Sequence, residues 1–302
     1  MRSKIGILTG TALIAGILGC GSKTPSQTHK SFEGKTVPQT DQKTDQKKET
    51  PTAPAFDLHP KWASAAGRDS FGAWADLTVE NTVQRLRFIP PGTFRMGSPE
   101  KEPSSGKDEV LHTVTISQGF WLGDSEVTQH LWKVVMDDNP AGSINDPTCP
   151  VDTVSWIDAE KFYRKLNILK GGLYASFPTE SQWEYACRSG TTAMFSGEPS
   201  TMSWSYKRRS FPVKTKPANA WGLHDMHGNV WEWCEDLYGP YPVGPVTNPL
   251  GATTGTLRVM RGGSWQEGYA YARSARRGKQ VPSSKGQNLG LRICIPATSN
   301  NR

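Results

Sequence analysis

Gly222-Leu223-His224-Asp225-Met226-His227-Gly228-Asn229-Val230-Trp231-Glu232-Trp233 is the stretch of this 302-residue chain on which the reading of the fold turns. Its glycines permit positive φ and close backbone approach, and its indoles supply wide, rigid packing surfaces. Asp225, Glu232 and the carbonyls between them place several hard oxygens in one tight turn, a donor set that suits Ca²⁺. Glu232 has an equally ordinary alternative, which is to cap a turn or pair with an arginine. His224 and His227 form a His-x-x-His pair, but no third ligand stands near. They read as exposed loop histidines.

Further along the chain come Arg258-Val259-x-Arg261-Gly262-Gly263-Ser264-Trp265, then Arg273-Ser274-Ala275-x-Arg277 and Gly290-x-Arg292. Before the opening stretch stand Phe94-x-Met96-Gly97-Ser98, Glu126-Val127-Thr128, Pro150-Val151 with Val154-Ser155-Trp156-x-Asp158-Ala159, and Pro178-Thr179-Glu180-x-x-Trp183-Glu184-Tyr185-Ala186. Regular elements are few. Residues 86–89 read as a strand stopped by Pro90-Pro91-Gly92, and 94–98 and 111–116 as two more. Helices are expected over 129–136 and 156–169, the latter capped by Ser155 or Asp158 with Ile157, Ala159, Phe162 and Leu166 at helical spacing. A third begins at Thr179, which with Gln182 has the form of a capping box. Beyond Gly190 only a final strand over 290–295 is expected. Long irregular connections need another source of order. Nine of the 11 tryptophans lie between Trp121 and Trp265, which points to aromatic packing.

In their order and spacing over residues 85–296, these motifs resemble the formylglycine-generating enzyme family, also called the sulfatase-modifying factor family. The resemblance implies one α+β domain, a variant of the C-type lectin fold with little regular secondary structure. It also implies a structural Ca²⁺ held by the side chains of Asp225 and Glu232 and the carbonyls of Gly228 and Val230. Family oxidases carry two cysteines shortly after Gly-Gly-Ser-aromatic that bind Cu(I), because soft thiolates select that ion. The corresponding segment here, Trp265 to Arg273, has no cysteine, and none occurs between Cys234 and Cys294. No copper is therefore expected, and no oxidase of that kind. Cys187 and Cys294 lie near positions that pair in the family, which would leave Cys149 with Cys234; free buried thiols are the alternative.

The chain's start has a different character. Met1-Arg2-Ser3-Lys4 precedes an apolar run over 5–17, and Gly19-Cys20 follows, so residues 1–19 read as a lipoprotein signal with Cys20 as the lipidated residue. Residues 20–60, rich in Lys, Thr, Gln, Ser and Pro, read as a disordered tether. Residues 61–84 are expected to pack on the domain through Trp62, Phe71, Trp74 and Leu77 as a short helix, and 297–302 form a tail. The expected location is the bacterial cell envelope, at the outer membrane or cell surface.

Composition narrows the function further. Hydrophobic residues make up 35% of the chain and mean hydropathy is −0.55, which excludes a polytopic membrane protein. The net charge of +7 accompanies no motif that reads bases, so nucleic acid is not expected as a partner. Much of that charge falls after Gly263. Arg273, Arg277 and Arg292 are expected to brace the fold, which leaves Gln266, Tyr269, Tyr271, Lys279 and Gln280 as exposed ligand-binding candidates. The favoured reading is a monomeric, non-catalytic binding or assembly module for an envelope or extracellular protein, a peptide or a glycan, with variable ligand display as one form of it. The alternative is an enzyme that modifies an exported protein without a Cu(I) thiolate pair.

Overall fold

The computed structural model describes residues 59–297; the signal segment, Cys20, most of the tether and the tail lie outside them. β1 (Ala65–Asp69), β2 (Gly72–Val79) and β3 (Thr82–Ile89) form an antiparallel meander. A short helix over 61–84 is thus replaced by sheet, and the domain begins about 20 residues earlier than the motifs indicate. The cause is a period of two. Ala73, Ala75, Leu77 and Val79 point into the core while Trp74, Asp76 and Thr78 face away. Phe71 stays exposed, whereas Trp62 packs edge-on against Trp121.

β4 (Gly92–Met96), β5 (His112–Ile116) and β6 (Phe120–Gly123) follow, and then the helices α1 (Gln129–Met136), α2 (Trp156–Lys170), α3 (Glu180–Arg188) and the single turn α4 (Pro199–Met202). The cap signals hold in detail. Ser155 and Asp158 form a capping box on α2, as do Thr179 and Gln182 on α3. Ala159, Phe162, Tyr163 and Leu166 form the buried face of α2, and Ile157 lies off it, exposed.

After α4 come β7 (Trp231–Leu237), β8 (Val246–Thr247), β9 (Arg258–Arg261), β10 (Gly278–Gln280), β11 (Leu289–Gly290) and β12 (Cys294–Pro296). Three sheets result, ordered β1-β2-β3-β6-β12, β10-β9-β7-β11 and β4-β5-β8. The single strand expected over 290–295 is in fact two. β11 pairs in parallel with β7 in one sheet and β12 pairs antiparallel with β6 in another. The chain changes sheets at residues 291–293, where the Leu291 and Ile293 carbonyls accept from the Val127 and Gly123 amides.

The tryptophans order the loops in two ways. Trp132 stacks on Phe162, Trp156 on Phe177, and Trp204 on Phe211. Two buried indoles also donate to backbone: Trp156 Nε1 to the Cys234 carbonyl at the irregularity in β7 and Trp233 Nε1 to the Val154 carbonyl in the loop before α2, both at 3.0 Å. Each removes a large apolar area from water and satisfies a carbonyl in the same step.

Candidate functional site

The Gly262-Gly263 pair positions the site. Both glycines have positive φ, 98° and 72°, and a Cβ on Gly263 would stand 2.6 Å from the Tyr271 carbonyl oxygen. Only glycine lets β9 end and the chain turn back beneath the 3₁₀ turn Tyr269–Tyr271.

Four buried arginines then fix this half of the domain. Arg261 pairs with Glu184 and donates to the Ala275 and Arg276 carbonyls at 2.8 and 2.7 Å. Arg273 makes two 2.8 Å bonds to Glu109 and one of 2.7 Å to Glu102. Arg277 grips Glu180 at 2.7 and 2.8 Å. Arg292 holds Glu232 at 2.6 to 3.0 Å and donates to the Gly123 and His224 carbonyls. Arg273, Arg277 and Arg292 therefore brace the fold. Burial works against the Glu184 carboxylate, but Arg261 and Arg188 outweigh it and hold its pKa below the usual range.

These contacts match the second of the two alternatives at Glu232. Both its oxygens are engaged, by Arg292 and by Trp183 Nε1 at 2.7 Å, so Glu232 is a structural ion-pair partner. Asp225 accepts from the Lys214 amide at 2.8 Å and from Trp204 Nε1 at 3.2 Å. Beside this pair lies Glu126, fully buried, with no hydrogen-bond partner on either oxygen. Burial, reinforced by the Asp225 charge, pushes its pKa well above the usual carboxylate range. Glu126, Asp225 and Glu232 interact electrostatically with one guanidinium, Arg292. Fully ionised, the cluster would carry two uncompensated negative charges, which a divalent cation would offset. Asp225 and the orphaned Glu126 are hard oxygen donors of the kind Ca²⁺ takes. Among the described residues no three His, Cys, Asp or Glu side chains converge on one point, so carbonyls would have to complete the shell.

The described cysteines, Cys149, Cys187, Cys234 and Cys294, are all free and buried, so neither expected pairing is formed. Burial pushes Cys149, Cys187 and Cys294 up to about 12 and Cys234 well above the ordinary thiol range, which keeps all four as inert thiols. His227 is buried and not on an exposed loop. Its Nδ1 bonds the Ala272 carbonyl at 2.8 Å, its Nε2 faces Ser196, and burial lowers its pKa to about 4. His224 is half-buried and bonds the Lys216 carbonyl.

The five residues expected to meet a ligand are all exposed, yet they do not form one cluster. Tyr269 meets Tyr206 edge-on, Tyr271 carries Arg276 over its ring, and Lys279 lies over Tyr238. Gln280 instead lines a half-open cavity of about 200 Å³ with Trp231, Met260, Glu267, Lys285 and Asn288. Gln266 stands at its edge, accepting from Asn288 Nδ2 at 3.3 Å. Inside, Glu267 accepts from Ser264 Oγ, from Trp231 Nε1 at 3.2 Å and from Asn288 Nδ2 at 3.3 Å. In the sequence Glu267 is an acid among bases, and the signal that could have found it is its place three residues after Ser264, within reach of that hydroxyl.

Known proteins agree with this architecture. The family model described as "Sulfatase-modifying factor enzyme 1-like domain" matches residues 74–297. The formylglycine-generating enzyme of Streptomyces coelicolor is 33% identical over 187 residues, covering 52% of this chain and 57% of that protein. The chain thus spans little more than half the length of that relative. The chaperone protein LppX of Paenibacillus barcinonensis is 27% identical over 288 residues, 76% of this chain and 95% of that protein. Among solved structures, Treponema denticola variable protein 1 aligns with TM-score 0.67 and 25% identity over 74% of this chain and 99% of its own. The fold is therefore that of the formylglycine-generating enzymes, a C-type lectin-like variant.

Proposed function

The chain belongs to the sulfatase-modifying factor enzyme 1-like domain family, and from that premise we propose that it is a non-catalytic, lipid-anchored binding or assembly module of the bacterial cell envelope. The observation that carries this reading is chemical. Where the family oxidases need soft thiolates, the turn after Gly262-Gly263-Ser264-Trp265 offers the Glu267 carboxylate, and the described thiols are buried elsewhere and protonated. A carboxylate set among hydroxyl, indole and amide donors is suited to hydrogen bonding with a ligand and poorly suited to Cu(I). Likeness to a variable protein of the same fold supports a role in ligand display. Its partner would be an exported or envelope protein, a peptide or a glycan, and a structural Ca²⁺ at Glu126 and Asp225 would hold the turn at 225–232 in shape.

Incubating the purified full chain with a cysteine-containing sulfatase peptide, Cu(I) and O₂ tests the reading by mass spectrometry. No formylglycine is expected; clear conversion of the peptide cysteine would sink the proposal. One observation favours the enzymatic alternative, namely the Ser264 hydroxyl bonded to Glu267 beside an open cavity. A copper-independent mass change in an exported partner would support it.

A further inference from the structure

Every strongly buried glutamate around this turn is matched to a positive charge or belongs to the cluster at Arg292, whereas Glu267 is only half-buried, at the wall of an open cavity. Glu109 faces Arg273, Glu180 faces Arg277, and Glu184 faces Arg261 and Arg188. Glu267 is held differently. Its three donors are neutral, and among the described residues it forms no ion pair. The one cation lining its cavity, Lys285, is turned to Asp158 at 2.8 Å. Neutral donors fix a carboxylate in place without discharging it, so its full negative charge remains directed at the cavity.

The rest of the lining has a matching character. Gln280 Oε1 and Gln266 Oε1 are further acceptors at the edge, and Trp231, Met260 and Leu289 form an apolar wall. A cation on a slender apolar stem satisfies all of these features: charge against Glu267, spare N–H groups to the amide oxygens, methylenes along the wall. An anion would be repelled, and an uncharged apolar group would leave the carboxylate desolvated without compensation.

Resting on the reading of this domain as a binding module, we propose that the Glu267 cavity receives a lysine or arginine side chain of a partner protein. The recognised group is an alkylammonium or alkylguanidinium, with Glu267 as its counter-ion and Trp231, Met260 and Gln280 as its walls.

Isothermal titration and tryptophan fluorescence on the full chain test this with blocked single residues: N-acetyl-lysine amide, N-acetyl-arginine amide and the uncharged isostere N-acetyl-norleucine amide. Butylamine added alone separates a free amine from a residue within a peptide. The lysine or arginine probe is expected to bind, at least tenfold more tightly than norleucine, with affinity falling as salt rises. Glu267→Gln keeps the size and hydrogen-bonding capacity of the side chain and should weaken binding tenfold or more with an unchanged melting temperature. Met260→Ala, further from the charge, should weaken it less. Equal binding of norleucine, equal binding by Glu267→Gln, or no binding of either cationic probe at millimolar concentration overturns the proposal. Tighter binding of butylamine than of both residues would assign the cavity to a free amine and overturn the partner-protein reading. Formylglycine formation would instead defeat the binding reading beneath it, so the two failures are distinguishable.

Discussion

Glu109, Glu180, Glu184 and Glu232 each meet a guanidinium from the last quarter of the chain, whereas Glu126 and Glu267 form no ion pair among the described residues. All six acids lie in or around the same half of the domain, and the difference lies in what neutralises them. Those matched internally tie loops to strands and leave no charge over for a ligand. Those left unmatched are the positions where an outside cation is proposed. The arginine-rich C-terminal segment, basic in the sequence, therefore has a largely discharged interior.

The largest expected effect comes from breaking a matched pair. Arg261→Met leaves Glu184 buried with Arg188 alone and removes three carbonyl contacts, so urea denaturation should show a loss of about 3–5 kcal/mol. A loss below about 1 kcal/mol would break the comparison, because the matched acids would then be dispensable.

Next in size is a neutral buried base. His227 titrates at about 4 in the folded domain against an ordinary value of 6.5. Its contribution is complete above pH 6.5 and is lost as pH falls towards 4, on the order of 3 kcal/mol. Asp236, pushed up to about 8 by burial, acts in the opposite sense: its contribution is complete at low pH and falls as pH rises from about 4 to about 8. Comparing denaturation of the wild type with His227→Gln between pH 4 and 7 isolates the histidine, and parallel curves would refute the assignment.

Calcium sharpens the contrast at Glu126. Free Ca²⁺ at about a hundredfold excess over its Kd should stabilise the fold by about 2.7 kcal/mol. Chelation should lower the melting temperature, and Glu126→Gln should abolish the response. An identical melt in calcium and in chelator would show that Glu126 is simply kept protonated. The smallest effect is expected at the surface, where Glu160→Ala removes the exposed Arg164 pair on α2 for about 0.3–0.5 kcal/mol. A loss that shrinks with added salt for Glu160→Ala, but not for Arg261→Met, would confirm that burial, and not pairing itself, sets the scale.

Much of the fold was legible from local chemistry. The boxes at Ser155–Asp158 and Thr179–Gln182 announce α2 and α3, and the order of the Gly, Trp and Arg motifs carries the family. β2 was obscured because its inward residues include Ala73 and Ala75, whose small side chains barely register as apolar although their alternation is perfect, and β1 has no buried residue to announce it. β7 was hidden inside a motif whose acids drew attention to ligands. At the site, the bracing role of Arg273, Arg277 and Arg292 could be read, but their partners could not. Glu109 and Glu180 lie about 164 and 97 residues from the arginines they meet. Glu126 looks like an ordinary acid ahead of α1, and only burial reveals that nothing satisfies it. Gln266 and Gln280 reached the cavity, whereas Tyr269, Tyr271 and Lys279 lie against other side chains.

The exchange of sheets at residues 291–293 sets the timetable of folding. Residues 289–296 close two separate sheets, and the Arg292 side chain reaches the Gly123 carbonyl across 169 positions of sequence. Neither sheet is complete, nor is Glu232 matched, until residues 289–296 are in place. Contacts of such separation make for slow, late closure. A nick just before Leu289 would cut both sheets off from the one segment that supplies an edge strand to each.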